Sequence, residues 1–130
     1  MAALKMAIRI KQLFQSIDHR DTDAFLAFLS DDVVFRFGNA TPVKGKAEVD
    51  PVVQDFFDSI NALHHDVVET WQQGDAAICH GTVTYTRHDA STLCVPFANI
   101  FRLKEDVIRE YLIYVDISDL YKNARQGLAE

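Results

Sequence analysis

The chain has only two cysteines, Cys79 and Cys94, in no CxxC or other metal-ligand spacing, which excludes a disulfide scaffold and a zinc motif and leaves two reduced, buried thiols as the expectation. Its five glycines and three prolines gather into no phosphate-cradling loop, no GxSxG elbow and no linker. No apolar run approaches the ~20 residues that a bilayer-spanning helix needs. The opening segment from Met1 to Lys11 interrupts its apolar residues with charge too often for a secretory signal. Basic residues number 13 against 19 acidic ones, for a net charge of -6. They are scattered along the chain, which argues against a surface that tracks nucleic-acid phosphates. These absences predict a soluble, cytoplasmic protein with no nucleic-acid or membrane partner and no metal site.

What is present is the composition of one globular domain, 48% hydrophobic and 25% charged over 130 residues, enough to enclose a core and a small cavity. Leu4, Ala7, Ile8, Leu13, Phe14 and Ile17 recur at helical spacing. Asp18-His-Arg-Asp breaks that pattern, and Asp21 or Thr22 can cap a second short helix through Leu29. Val33–Phe37 reads as a strand followed by a loop from Gly38. Val49, Val52, Val53, Phe56, Phe57 and Ile60 place a third helix over residues 46–63, with Pro51 near its start. The remainder predicts an antiparallel meander of four strands over residues 64–73, 76–88, 92–104 and 107–117, separated by Gly74-Asp75, Asp89-Ala-Ser and Glu105-Asp106. The fold class is therefore α+β, a curved antiparallel sheet wrapped on three helices in the N-terminal half.

Pairing these strands outward from their turns, with Gln73 opposite Ala76, His88 opposite Leu93 and Leu103 opposite Ile108, assigns residues to faces. One face collects His65, Val67, Trp71, His80, Thr82, Thr84, Phe97, Asn99, Phe101, Leu112, Tyr114 and Asp116. The other, with Cys79, Val83, Tyr85, Ile100, Tyr111, Ile113 and Val115 among its members, is also apolar. A sheet apolar on both sides needs two covers. Helices supply one, and a homodimer packed through the outer sheet face is the economical second.

Asp116, among Tyr114, Ile113, Val115 and Ile117, is the first candidate for chemistry. A desolvated carboxylate there can act as general acid or base, or it can cap the turn Ile117-Ser-Asp-Leu-Tyr and do no chemistry. Asn99, in Pro96-Phe-Ala-Asn-Ile-Phe, must find partners when buried; it can bind a substrate oxygen or serve a structural bond. His64 and His65 point to opposite faces, and the map sends His65 and His80 inward to fix substrate oxygens. Trp71, Phe97, Tyr114, Phe37, Asn39 and Asp18 complete the candidate pocket for a small apolar molecule.

The order helix-helix-strand-loop-helix-four strands, with Val43-Lys-Gly-Lys-Ala-Glu-Val opening the third helix and Ile108-Arg-Glu-Tyr-Leu-Ile-Tyr-Val-Asp116 closing the sheet, resembles the nuclear transport factor 2-like superfamily, and within it the SnoaL-like polyketide cyclases. The resemblance, from about Ile8 to Tyr121, implies a cone-shaped α+β barrel, a single domain over residues 1–130, commonly a back-to-back dimer, and no cofactor. It also implies that Asp116, at the position of the cyclases' terminal-strand aspartate, moves a proton during cyclisation, isomerisation or dehydration of a carbonyl- or hydroxyl-bearing substrate. A non-catalytic ligand-binding or interaction protein of the same fold is the alternative.

Other members of the superfamily match less well. The epoxide hydrolases require Arg, Asp and Tyr where His80, Thr82 and Phe37 stand, though Asp116 and Asn39 are kept. The scytalone dehydratases match at Asp18, His65 and Asn99, with Ile17 in place of a tyrosine and no clear counterpart for the histidine that partners their aspartate. The ketosteroid isomerases carry a tyrosine in the neighbourhood occupied by Phe14.

Overall fold

The computed structural model describes residues 2–122, with side chains from Arg9 onward; Leu4, Ala7 and Ile8 lie outside the described side chains. Helix α1 spans Ala2–Asp18, and its Ile10, Leu13, Phe14 and Ile17 are buried at the spacing that keeps one face inward. Helix α2, Thr22–Leu26, begins where the Asp21 side chain accepts the Ala24 amide at 3.1 Å. It is shorter than its apolar pattern implied, because the chain enters strand β1 at Leu29–Phe37. After the two-residue strand β2, Val43–Lys44, helix α3 runs over Lys46–Asp58 and buries Val49, Val53 and Phe57. Pro51 stands in its second turn on the exposed side, so the carbonyl it leaves unbonded can reach water.

Strands β3 (Ala62–Gln73), β4 (Ala76–Thr86), β5 (Thr92–Lys104) and β6 (Val107–Val115) form the expected meander. The six strands lie in the order β2-β1-β6-β5-β4-β3. β1 joins β6 in parallel, and the sheet curves without closing, so it is an open sheet rather than a complete barrel. The core lies between its concave face and the helices, where Val33, Phe35, Phe101, Tyr111, Leu13 and Phe25 meet.

The face map is corrected at three places. Between β3 and β4 the register slips after Val67↔Gly81 to Glu69↔His80, leaving Val68 as an extra residue. His65 therefore faces inward while Trp71 turns out. Between β4 and β5 the partner of Leu93 is Tyr85, not His88, because residues 87–91 form the loop. Asp89 there accepts from the Ser91 amide at 3.0 Å and hydroxyl at 2.6 Å, and Ala90 takes φ +75°. Between β5 and β6, Leu103↔Ile108 holds, but Arg102 pairs with Glu110, so Arg109 is a second extra residue. Each shift is by an odd number of residues, and each exchanges faces. His80, Thr82, Thr84, Leu112, Tyr114 and Asp116 consequently belong to the convex face. Cys79, Val83, Tyr85, Tyr111, Ile113 and Val115 belong to the concave one. Cys94 is exposed, contrary to its expected burial, whereas Cys79 is buried and desolvation pushes its thiol up to about 12.

The segment after β6 folds back and is pinned by Arg87, whose guanidinium donates to the carbonyls of Leu120 at 2.7 Å and Asp119 at 2.9 Å. Leu120 is buried, and the Tyr121 and Ser59 hydroxyls meet at 2.9 Å.

Gly81 marks the first bulge, since a Cβ there would collide with the backbone carbonyl of Asp66 on the neighbouring strand. Gly81→Ala is expected to destabilise the fold by about 3 kcal/mol. In thermal unfolding this corresponds to a Tm lowered by roughly 10 °C, and an unchanged Tm would show that the bulge can relax freely.

Candidate functional site

The concave face does not fill completely. A cavity of about 350 Å³ remains between α1, α3 and the sheet, walled by Phe35, Phe37, Phe56, Phe57, Phe97, Tyr85, Ile113 and other apolar residues. Asn39 and Ala40, both exposed, border it on the loop after β1, and half-exposed Val52 borders it on α3. They mark its mouth. Ile117, in the segment pinned by Arg87, supplies another wall.

Few polar groups enter this space. His65 on β3 is one, and its side chain is 10% exposed. The ring lies against Phe14 with centroids 4.6 Å apart and meets Phe97 edge-on at 5.2 Å. Asp18, the last residue of α1, stands behind it. The Asp18 carboxylate accepts from His65 Nδ1 at 2.6 Å through Oδ1 and from the His65 backbone amide at 3.0 Å through Oδ2. Because a carboxylate only accepts, Nδ1 donates, and in the neutral ring this tautomer leaves Nε2 as the acceptor. The neighbouring His64 stays outside the cavity, exposed, with Nε2 3.2 Å from Asp66 and Nδ1 3.7 Å from Asp18.

Asn99 is the second polar group. It is 1% exposed, its Nδ2 donates to the Tyr111 hydroxyl at 3.3 Å, and its Oδ1 has no protein partner. Burial pushes the Tyr111 hydroxyl well above its ordinary range, with the nearby Cys79, Tyr85 and Asp18 adding to the shift. Burial also raises Tyr85. Both phenols therefore remain protonated at neutral pH.

The structure thus brings His65, Asn99, Phe97, Phe37 and Asn39 to one cavity, with Asp18 behind the His65 ring. Asp116, His80, Trp71 and Tyr114 are not among them. They border a shallow hollow on the convex face. Asp116 follows the last strand residue, is exposed, and accepts the Ser118 amide at 2.9 Å. That bond holds its carboxyl below the usual value, the reverse of the shift expected for a desolvated base. His80 stacks on Trp71 at 5.4 Å with the rings 11° apart, and its Nε2 lies 3.7 Å from Glu69. Val83, Tyr85, Tyr111, Ile113 and Val115 are the cavity residues that the strand map sends to the other face. Their alternation along β4 and β6 is visible in the sequence, but the Arg109 bulge and the five-residue loop that turn them inward are not. Among the described residues no group of three His, Cys, Asp or Glu side chains is arranged to hold a metal ion, and no helix is long and apolar enough to cross a membrane.

Comparison with known proteins agrees with this architecture. A nuclear transport factor 2-like protein of unknown function from Burkholderia pseudomallei superposes with a TM-score of 0.77 at 16% identity, over 85% of this chain and 90% of that one. A protein from Xanthomonas campestris proposed to be a polyketide cyclase does so with a TM-score of 0.77 at 20% identity, over 85% and 90% of the two chains. An epoxide hydrolase of the LEH-like kind from M. tuberculosis reaches 0.73 at 16% identity, over 92% and 89%. At these identities the likeness is one of fold. No curated protein matches the sequence. The SnoaL-like domain model matches residues 10–111, most of the chain and nearly all of the walls just described, and the chain belongs to that family.

Proposed function

We propose that the protein is a cofactor-independent enzyme of proton transfer, in which His65 is the general base and Asp18 its positioning partner. The substrate is a small, largely apolar molecule bearing a carbonyl or hydroxyl, and the reaction a cyclisation, isomerisation or dehydration. One observation carries this reading: a histidine locked in one tautomer by a carboxylate shares an apolar cavity with a buried amide oxygen that has no partner. Nε2 takes a proton from substrate carbon or oxygen, Asp18 stabilises the imidazolium that results, and the same proton returns to the departing or rearranged atom. Asn99 Oδ1 fixes a substrate hydroxyl. Asp116, expected from family resemblance to move the proton, has its carboxylate committed to Ser118 at the turn.

A substrate-independent assay is available, because a base in an apolar cavity accelerates the ring-opening elimination of 5-nitrobenzisoxazole, in which loss of one C–H proton breaks the N–O bond and releases a cyanophenolate. His65→Asn is expected to lower kcat/KM about 100-fold, in line with the ~10²–10⁴ that a positioned base contributes. Asp18→Asn should lower it by roughly tenfold or more by releasing the tautomer, and Asp116→Asn should stay within about twofold of the parent. A parent rate no better than free imidazole, or a His65→Asn variant at the parent rate, removes the reading.

We further propose that the convex face is the contact of a homodimer. Its Trp71, Ile78 and Tyr114 are 47%, 40% and 50% exposed, and Val68 is 69% exposed, an unusual cluster of large apolar surface for a monomer. Light scattering should return a dimer mass for the parent chain and a monomer mass for Ile78→Arg with Tyr114→Arg, at unchanged far-UV circular dichroism. A monomeric parent would reject the interface.

A further inference from the structure

The cavity and its one orphan atom define a ligand more narrowly than the reaction does. The cavity measures about 350 Å³. A dry protein cavity of roughly 150 Å³ holds one benzene ring, so this space takes two fused rings with little to spare, and a third would fill it to the mouth at Asn39 and Ala40. Its walls include Phe35, Phe37, Phe56, Phe97, Tyr85 and Tyr111, edges and faces that favour a flat aromatic body. No Lys or Arg is among the lining residues. An anion would enter without a counter-charge, at a desolvation cost that no partner offsets.

Asn99 sets the remaining requirement. Its Nδ2 donates to Tyr111, while Oδ1, on a residue that is 1% exposed and lines the same cavity, has no donor to accept from. A buried acceptor without a donor is costly, and a ligand that supplies O–H removes that cost, whereas one that supplies only an ether oxygen does not. We propose that the cavity is built for a neutral two-ring aromatic molecule bearing a hydroxyl, seated with that hydroxyl on Asn99 Oδ1. This rests on the same cavity as the proposed reaction and concerns binding alone.

The test is a calorimetric titration of the full-length protein with four probes: 2-naphthol, 2-methoxynaphthalene, 2-naphthoate and 9-phenanthrol. The expected result is one 2-naphthol per chain, bound about tenfold or more tighter than 2-methoxynaphthalene, with 2-naphthoate and 9-phenanthrol weaker than 2-naphthol. Asn99→Leu, which keeps the branched shape of the side chain without its polar atoms, should erase the preference for 2-naphthol over its methyl ether, and His65→Asn should leave that preference in place. Equal binding of 2-naphthol and 2-methoxynaphthalene in the parent protein overturns the proposal even if Asn99→Leu fails to fold. Preferred binding of 2-naphthoate or 9-phenanthrol, or loss of the preference in His65→Asn rather than Asn99→Leu, does the same. The two ideas separate cleanly: 2-naphthol binding with no His65-dependent elimination defeats only the reaction, and His65-dependent elimination without 2-naphthol selectivity defeats only the ligand.

Discussion

Side chains along a strand alternate between two faces, so a single extra residue exchanges the inside and outside of everything beyond it. In this chain the extra residues are Val68 in β3 and Arg109 in β6, and the cavity depends on both. With His65 and Trp71 six positions apart, an unbroken strand would place them on one face. Val68 puts them on opposite faces, sending the imidazole to the core and the indole to the surface. Arg109 exchanges the two faces of β6 relative to the β5–β6 turn, so that Tyr111 points inward and Tyr114 outward. Gly81 is the complementary concession on β4, since the strand opposite the bulge approaches too closely for a side chain.

The bulges also explain why two carboxylates with similar surroundings in the sequence end in different chemistry. Asp18 closes α1 opposite the stretch of β3 before the bulge, where His65 presents both a ring N–H and a backbone amide to it. The carboxylate is thereby tied to the cavity wall, and among the described residues it is the acidic group paired with that ring. Asp116 lies just past the end of β6, between two residues that line the cavity without lining it itself, and its carboxylate accepts from the Ser118 amide. A hydrogen bond to the ionised form lowers the pKa and leaves the carboxylate a weaker base. The same residue type thus orients an imidazole ring at one position and fixes a turn at the other, by virtue of the donors offered to each.

Much of the fold was legible because it is written in local signals. The helical spacing of Ile10, Leu13, Phe14 and Ile17, the cap at Asp21 and the turns at Gly74-Asp75 and Glu105-Asp106 each act over a few residues, and the elements formed accordingly. The cavity was legible only in part. His65, Asn99 and Phe97 are expected inward and lie inward: the last two share a strand, and for His65 the odd shifts between β3 and β4 and between β4 and β5 cancel. His80, Trp71, Tyr114 and Asp116 were assigned with them and lie outside, since bulges and the five-residue loop at residues 87–91 arise from pairing between strands, and no single segment announces them. The Asp18–His65 bond was likewise beyond local reading. Its partners stand 47 positions apart, and only the packing of α1 on β3 brings them together.

Membership of the SnoaL-like family supplies the scaffold, but the chemistry rests on which few polar atoms the apolar cavity retains. Here the wall is almost wholly apolar, so each retained atom sits in a medium where an unpaired dipole or charge is expensive. The His65 ring satisfies one nitrogen with Asp18 and keeps the other free; Asn99 satisfies its amide nitrogen with Tyr111 and keeps its oxygen free. In both residues the satisfied end fixes the orientation of the free one. Two polar groups, each held at one side and open at the other, are what a positioned base and a positioned acceptor require. A purely structural pair would be expected to close on each other or on the backbone, as Asp116 does with Ser118.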